Sequence, residues 1–465
     1  MKKYLALALG ILFMLGFAAS AFAIHAEIPA ETQAVVAKGA TQVTIGGELR
    51  FRGEYKHATD LNQSTVLENA DDSDAKYDGR VRIRIQADVS KNTQGVIHLE
   101  SGSVTSDTYD CGVSGESAGV YRGVGNGKKG TLDILEAWIL HKGNGLGIPA
   151  GIKVGHMPLA LGNGIFFNHT KFGDDAIVFF MDPTKELHIG LLTIKLMENT
   201  SSITDDANAY VALLAYKGKG FNISADYTRV DDQRNHITTN GVANGGTAMT
   251  AGDNGTELNN VGLRADVTFG NLNVMADVEL QSGKSDYQGS TSDIKHKGRA
   301  YVIGAKYKLA PATLSLGYGS GSGDRDSTDL ENDVFVTAVP NTQNMTYVYD
   351  YRLVSATGLT NTGIANTTYV KAGVAADLTK DLSADINYYV LRATKANSGT
   401  AINGLTTHLS KKIGSELDAK ITYKLDKNLV YFVEGGYLWT GTFYDSATIV
   451  ADDVYAVRHG ITLSF

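Results

Sequence analysis

Residues 80–89 read RVRIRIQADV, and Arg80, Arg82 and Arg84 alternate with Val81, Ile83 and Ile85. A spacing of two puts the three cations on one face of a strand and the aliphatics on the other. A guanidinium presents a planar fork of donors, so such a row can attract anions or brace itself against carboxylates. Residues 42–56, QVTIGGELRFRGEYK, repeat the pattern. Glu48, Arg50, Arg52 and Glu54 share one face with Thr44; Val43, Ile45, Leu49, Phe51 and Tyr55 share the other. If the two stretches form a hairpin, five arginines stand on adjacent strands and repel one another unless compensated. Asp78, Asp88, Glu100 and Glu136 fall at polar positions of the same or nearby strands and supply that compensation.

Other constellations carry less. GYGSGSGD (317–324) has G-x-G spacings but follows a strand, with no Lys-Ser/Thr and no helix, so it is no phosphate cradle. Asp324, Asp326, Asp329, Glu331 and Asp333 miss the EF-hand pattern at its Gly and Glu, and they read as a solvated acidic loop, as do Asp71, Asp72 and Asp74. The 11 His form no H-E-x-x-H, and no G-x-S-x-G is present. Cys111 is the single cysteine, so it forms no internal disulfide and no CxxC or haem motif. The chain therefore reads as a non-enzyme, with no catalytic residue, metal site or cofactor assigned.

The charged rows need elements to position them, and the chain's ends say where those lie. MKKYLALALGILFMLGFAASAFA has Lys2 and Lys3, an apolar run and an Ala21-Phe22-Ala23 cleavage site. It reads as a secretory signal peptide over 1–23, cleaved after Ala23. Residues 24–41 permit a helix before the first strand and are expected to be a periplasmic N-terminal segment. No later stretch has the roughly 20 apolar residues of a membrane helix, so any crossing is made by strands. In the final DDVYAVRHGITLSF, Tyr455, Val457, Ile461, Leu463 and Phe465 share one face, broken by His459. A last strand ending in Phe resembles the assembly signal of bacterial outer-membrane barrels, with Tyr455, Ile461, Leu463 and Phe465 its residues.

Between the ends, alternating stretches recur at similar spacing. They predict an all-β, transmembrane, antiparallel up-and-down barrel over 42–465, with eighteen strands, or sixteen if the weak stretches among 95–101, 175–181 and 311–320 do not cross. Eight connections are tight and nine are generally longer, notably 57–75, 102–130, 230–257 and 320–366. Short periplasmic turns and long extracellular loops make that pattern in an outer-membrane barrel. The loops 102–130 and 320–366 are candidates to fold inward and set a constriction. Phe51, Tyr55, Tyr77, Tyr227, Phe269, Tyr318, Tyr423, Tyr431, Phe432, Tyr455 and Phe465 lie near presumed strand ends, where aromatic girdles belong. The formal charge of −8 excludes a basic nucleic-acid footprint.

Three stretches carry a family resemblance. VGHMPLALGNG (154–164) resembles the strand-to-loop motif of the alginate-export family of outer-membrane barrels. GYGSGSGDRDSTDLENDVFVTAVPNT (317–342) resembles that family's Gly-Asp loop, and VTIGGELRFRGEY (43–55) the first strand of such porins. The resemblance implies an eighteen-stranded barrel whose arginine-rich lumen passes anionic saccharides or smaller solutes.

The expected function is a water-filled outer-membrane channel for passive diffusion of small hydrophilic solutes. Arg50, Arg52, Arg80, Arg82, Arg84, Glu48, Glu54, Asp78, Asp88 and Glu100 are its expected pore lining, and an anion preference is attributed to the arginines. The alternatives are a barrel sheathing a partner such as a multihaem cytochrome, and a barrel-type hydrolase. Expected partners are outer-membrane lipid, the barrel-assembly machinery and small solutes; a homotrimer is left open.

Overall fold

The period-two pattern is realised as strands that each pair antiparallel with the next. The computed structural model describes residues 34–37, 41–58, 73–102, 109–111, 131–198, 206–233, 255–285, 293–324, 329–339, 345–351, 364–396, 401–402, 405–406, 410–445 and 450–465. The wall strands are β1 (Gln42–His57), β2 (Ser73–Ser90), β3 (Thr93–Gly102), β4 (Thr131–Gly145), β5 (Ile148–Met157) and β6 (Asp174–Met181). They continue as β7 (Leu187–Met197), β8 (Ala207–Gly218), β9 (Phe221–Asp232), β10 (Thr256–Phe269), β11 (Leu272–Ser285) and β12 (Arg299–Leu309). The rest are β13 (Ala312–Gly321), β14 (Thr367–Asp377), β15 (Leu382–Ala393), β16 (Lys412–Asp426), β17 (Leu429–Thr440) and β18 (Val454–Ser464). β18 pairs back onto β1, from Glu48↔Ser464 to His57↔Tyr455, and closes an 18-strand barrel. Closure satisfies every strand edge, which a bilayer interior demands. The three weak stretches are all wall strands.

Loop length segregates as expected. Tight turns join β2 to β3, β4 to β5 and so on to β16 and β17, while the alternate connections are longer. On the outer face, Ile83, Leu263, Leu316, Val370 and Ile421 are exposed, as lipid-facing positions must be. Tyr437 and Tyr455 stack on that face at 5.9 Å, with Tyr55 5.9 Å from Tyr455. Phe432 departs from the girdle. It follows outward Tyr431, so the pleat turns it inward, beneath Lys420 Nζ at 5.4 Å.

The signal peptide expected over 1–23, with Ala21 and Ala23, lies outside the described residues, as do most of the 57–75, 102–130 and 230–257 loops. Within the 24–41 stretch, Ala34–Ala37 is extended rather than helical. β1 begins before its pairing with β18, and Ala34–Ala37 pairs with that leading end at Val43, Thr44 and Ile45. An open strand edge is a stronger template than weak helix propensity.

The strict polar-in alternation fails on one side. In β6, β7 and β8 both faces are apolar: Ala176, Val178, Leu192, Ile194, Ala209 and Val211 point inward and are buried. Residues 158–173, between β5 and β6, fold into the barrel and cover them with Leu159, Leu161, Phe166 and Phe167. Burying each Phe contributes about 1.5–3 kcal/mol. Part of the β13–β14 connection joins this core through Phe335 and Val339, and Ala338 N donates to Phe166 O at 3.0 Å. Farther along the same connection, residues 345–351 pack against β15–β18 around Leu391, Ile413, Leu438 and Val454. The 320–366 loop thus folds inward where described. The other inward loop, 158–173, was not anticipated.

Candidate functional site: the charged lumen

The arginine rows meet as their spacing requires. β1 and β2 pair with Glu48 opposite Arg82, Arg50 opposite Arg80, and Arg52 opposite Asp78. Each described guanidinium of β2 finds a polar partner. Arg52 grips Asp78 through two bonds of 2.9 and 3.0 Å, and Arg80 donates to Glu48 Oε1 at 2.6 and 2.8 Å. Arg82 donates to Glu100 on β3, and Arg80 approaches the same carboxylate at 3.9 Å. Arg84 Nη1 donates to Gln86 at 2.8 Å, and Gln86 passes the contact to Asp88 at 3.2 Å. Charge-assisted forks of this kind hold both partners in a fixed geometry.

The row ends in a buried acid. Glu136 on β4 is fully buried and takes 2.6 Å from Trp138 Nε1, with His98 Nδ1 at 2.9 Å and Arg84 Nε at 3.8 Å. Lys153 Nζ sits 4.0 Å over the Trp138 ring. Five arginines therefore face six acids, counting Glu48, Glu54, Asp78, Asp88, Glu100 and Glu136. The wall is a zwitterionic ladder rather than a bare cationic one. Depth separates the signs: Asp78, Glu100 and Glu136 side chains are 2%, 6% and 0% exposed, against 11%, 16% and 10% for Arg52, Arg82 and Arg84. Glu48, at 21%, and the half-buried Glu54 and Asp88 do not follow this order.

Two further charged clusters line the interior, and neither was singled out from the sequence. The first centres on Arg264 of β10. Its Nη2 donates to Glu279 at 2.7 Å, its Nε to Asp277 at 3.2 Å, and its Nη1 to Asp226. All three carboxylates have no exposed side-chain surface. Gly262 stands opposite both Asp226 and Glu279, and the missing side chain makes room for the guanidinium. Arg264 also fixes the inward loop. Asn163 N donates to Asp277 at 3.3 Å, and Gly162, at φ +54°, lies so close that a Cβ there would fall 1.3 Å from Arg264 Nε. The three acids sit on the polar faces of two strands, and only the register shows that they converge.

The second cluster holds residues 345–351. Glu416 of β16 accepts from Val348 N at 2.6 Å and Tyr349 N at 2.9 Å, and Asp418 accepts from Tyr347 N at 3.1 Å. Arg458 of β18 lies 5.6 and 5.7 Å from the Tyr347 and Tyr351 rings and donates to Glu434, which also meets Lys420 at 3.1 Å. In the segment itself, Asp350 accepts from Met345 N at 2.8 Å, and burial pushes its carboxyl up to about 7. No group of three or more His, Cys, Asp or Glu side chains is placed to hold a metal ion among the described residues.

A closed antiparallel barrel with an apolar exterior, a charged interior and two loops folded into the lumen is an outer-membrane barrel of the porin type. The alginate export family model matches residues 41–457, and the chain belongs to that family of bacterial outer-membrane proteins. Solved structures with the same fold include OccK9 (OpdG) of Pseudomonas aeruginosa, at TM-score 0.55 and 12% identity over 91% of this chain and 98% of that one. OccK5 (OpdH) of the same organism gives TM-score 0.54 at 11% identity over 90% and 98%. OccAB2 of Acinetobacter baumannii gives 0.51 at 11% over 90% and 98%. No curated protein matches the chain.

Proposed function

We propose that the protein is a non-enzymatic channel for passive diffusion of small hydrophilic solutes, favouring anions, including anionic saccharides, along the β1–β4 wall. The observation that carries this reading is the layering of that wall. Three of its six carboxylates, Asp78, Glu100 and Glu136, are less exposed than the guanidiniums that they neutralise, so along that part of the wall a solute meets cations first. A transverse field of this kind orients dipolar solutes and raises the local concentration of anions without a large net charge. The two inward segments narrow the lumen, and their packing against β6–β8 and β15–β18 leaves the arginine wall as a polar flank.

The test is single-channel recording from the mature chain, residues 24–465, in a planar bilayer under a salt gradient. Discrete ohmic steps with an anion-biased reversal potential are expected. Changing Arg80, Arg82 and Arg84 together to Gln should move the reversal potential toward the cation side. An unchanged potential in a folded variant would assign the arginines to bracing alone, and a folded barrel that never conducts would overturn the channel reading.

A further inference from the structure

The β15–β16 connection on the long-loop side carries a cluster of cations that the lumen does not use. Residues 386–415 contain Arg392, Lys395, Lys411 and Lys412 and no Asp or Glu, in a chain that is acidic overall. The sheet brings these residues together. Arg392 stands opposite Lys412, Ala393 N donates to Lys411 O at 2.8 Å, and Lys411 Nζ donates to Thr394 O at 2.8 Å. Arg392, Lys411 and Lys412 are exposed, and none of the four has a carboxylate partner among the described residues. The flanking acids, Asp385 and Glu416, are on the lumenal face, and Glu416 is fully buried.

The orientation of the cluster follows from the pleat. Leu391 and Ala393 are buried in the interior, so Arg392 between them points out of the barrel, in line with exposed Tyr388 and Val390. On β16 a bulge at Gly414 (φ +148°) restores the same arrangement, with Lys412 outward and Ile413 buried. Exposed Leu417 and Trp439 continue the lipid-facing surface below. Two cations at the comparable rim of β11–β12 differ. Lys284 meets Asp293 at 2.9 Å and Lys297 meets Glu331 at 2.5 Å. Uncompensated cations directly above an apolar, membrane-facing band match a lipid that carries phosphate at its headgroup.

The geometry points to a binding site on the outer rim of β15–β16 for a phosphorylated glycolipid of the outer leaflet, with Arg392, Lys395, Lys411 and Lys412 contacting its phosphates. The full barrel would be examined by native mass spectrometry in neutral detergent, with bisphosphorylated lipid A as the probe and chemically dephosphorylated lipid A as its comparator. Retention of the phosphorylated lipid should exceed that of the comparator by at least about tenfold, and changing all four cations to Gln should abolish the difference. Lys411→Gln with Lys412→Gln is the milder variant should the fourfold change impair folding, and it should give an intermediate loss. Lys284→Gln with Lys297→Gln should leave retention unchanged, because those cations are already paired. Equal retention of the two lipids, or undiminished retention by a folded rim variant, would overturn the assignment. Displacement of the lipid by millimolar inorganic phosphate would also overturn it, because the site would then be one for a free anion.

Discussion

Replacing Arg264 by Met is the most informative single change in the barrel. Met keeps much of the side-chain volume and removes the charge. It leaves Asp226, Asp277 and Glu279, all fully buried, converging on a space with no cation. Three charge-assisted bonds vanish together. Breaking a buried pair by removing one partner costs about 3–5 kcal/mol, because the remaining charge is left desolvated. With three acids left behind, the lower end of that range is a floor. Since each 1.4 kcal/mol is a factor of ten, the folding equilibrium should shift by at least about two decades. The assay is denaturant unfolding in lipid vesicles followed by the fluorescence of Trp138 and Trp439, the protein's 2 tryptophans. A second readout is electrical. Asn163 and Gly162 rest on this cluster, so the 158–173 loop should loosen and single-channel current should become noisier or larger. Adding Asp226→Asn and Glu279→Gln to the variant removes two of the three stranded charges and should recover part of the stability. A loss below about 1 kcal/mol in the single variant would refute the reasoning, since neutralisation of a buried cluster cannot be that weak.

The segment 345–351 should respond to pH. The Asp350 carboxyl, raised to about 7 from an ordinary 3.8, favours the packed state fully below about pH 4, and that contribution is lost as pH rises through 7. Conductance should therefore rise between about pH 4 and 7 and level off above, as the segment loosens over the window set by that carboxyl, and Asp350→Asn should flatten the profile. The C-terminal residue also has a definite role. Phe465 N and O exchange bonds of 3.0 and 2.7 Å with Gly47 and set the last rung of the closing pair. Phe465→Ala should reduce the yield of folded, heat-modifiable barrel in the outer membrane while leaving the conductance of the molecules that do assemble unchanged. Equal yields would show that the terminal ring is dispensable for assembly.

How far the sequence is legible depends on the range of each interaction. Strand existence is local, and the pleat alone places Arg80, Arg82 and Arg84 on one face. The β1–β2 hairpin is nearly local too, so the meeting of five arginines with their acids follows from two neighbouring stretches and a single register. Arg264 differs. Its partners lie on β9 and β11, 13 to 38 residues away, and which carboxylate it meets depends on the register of two hairpins and on the gap at Gly262. Phe432 was misplaced because two adjacent aromatics both suggested a girdle, although a strand can turn only one of them outward. The inward 158–173 loop did leave a trace in the sequence, in strands other than its own. β6, β7 and β8 are apolar on both faces, which a water-filled barrel cannot tolerate unless something dry covers the inner one. LALGNGIFF, too apolar for an external loop, is that cover. In a chain of alternating strands, a run of three that stops alternating therefore points to a plug, and an apolar loop beside it points to which one.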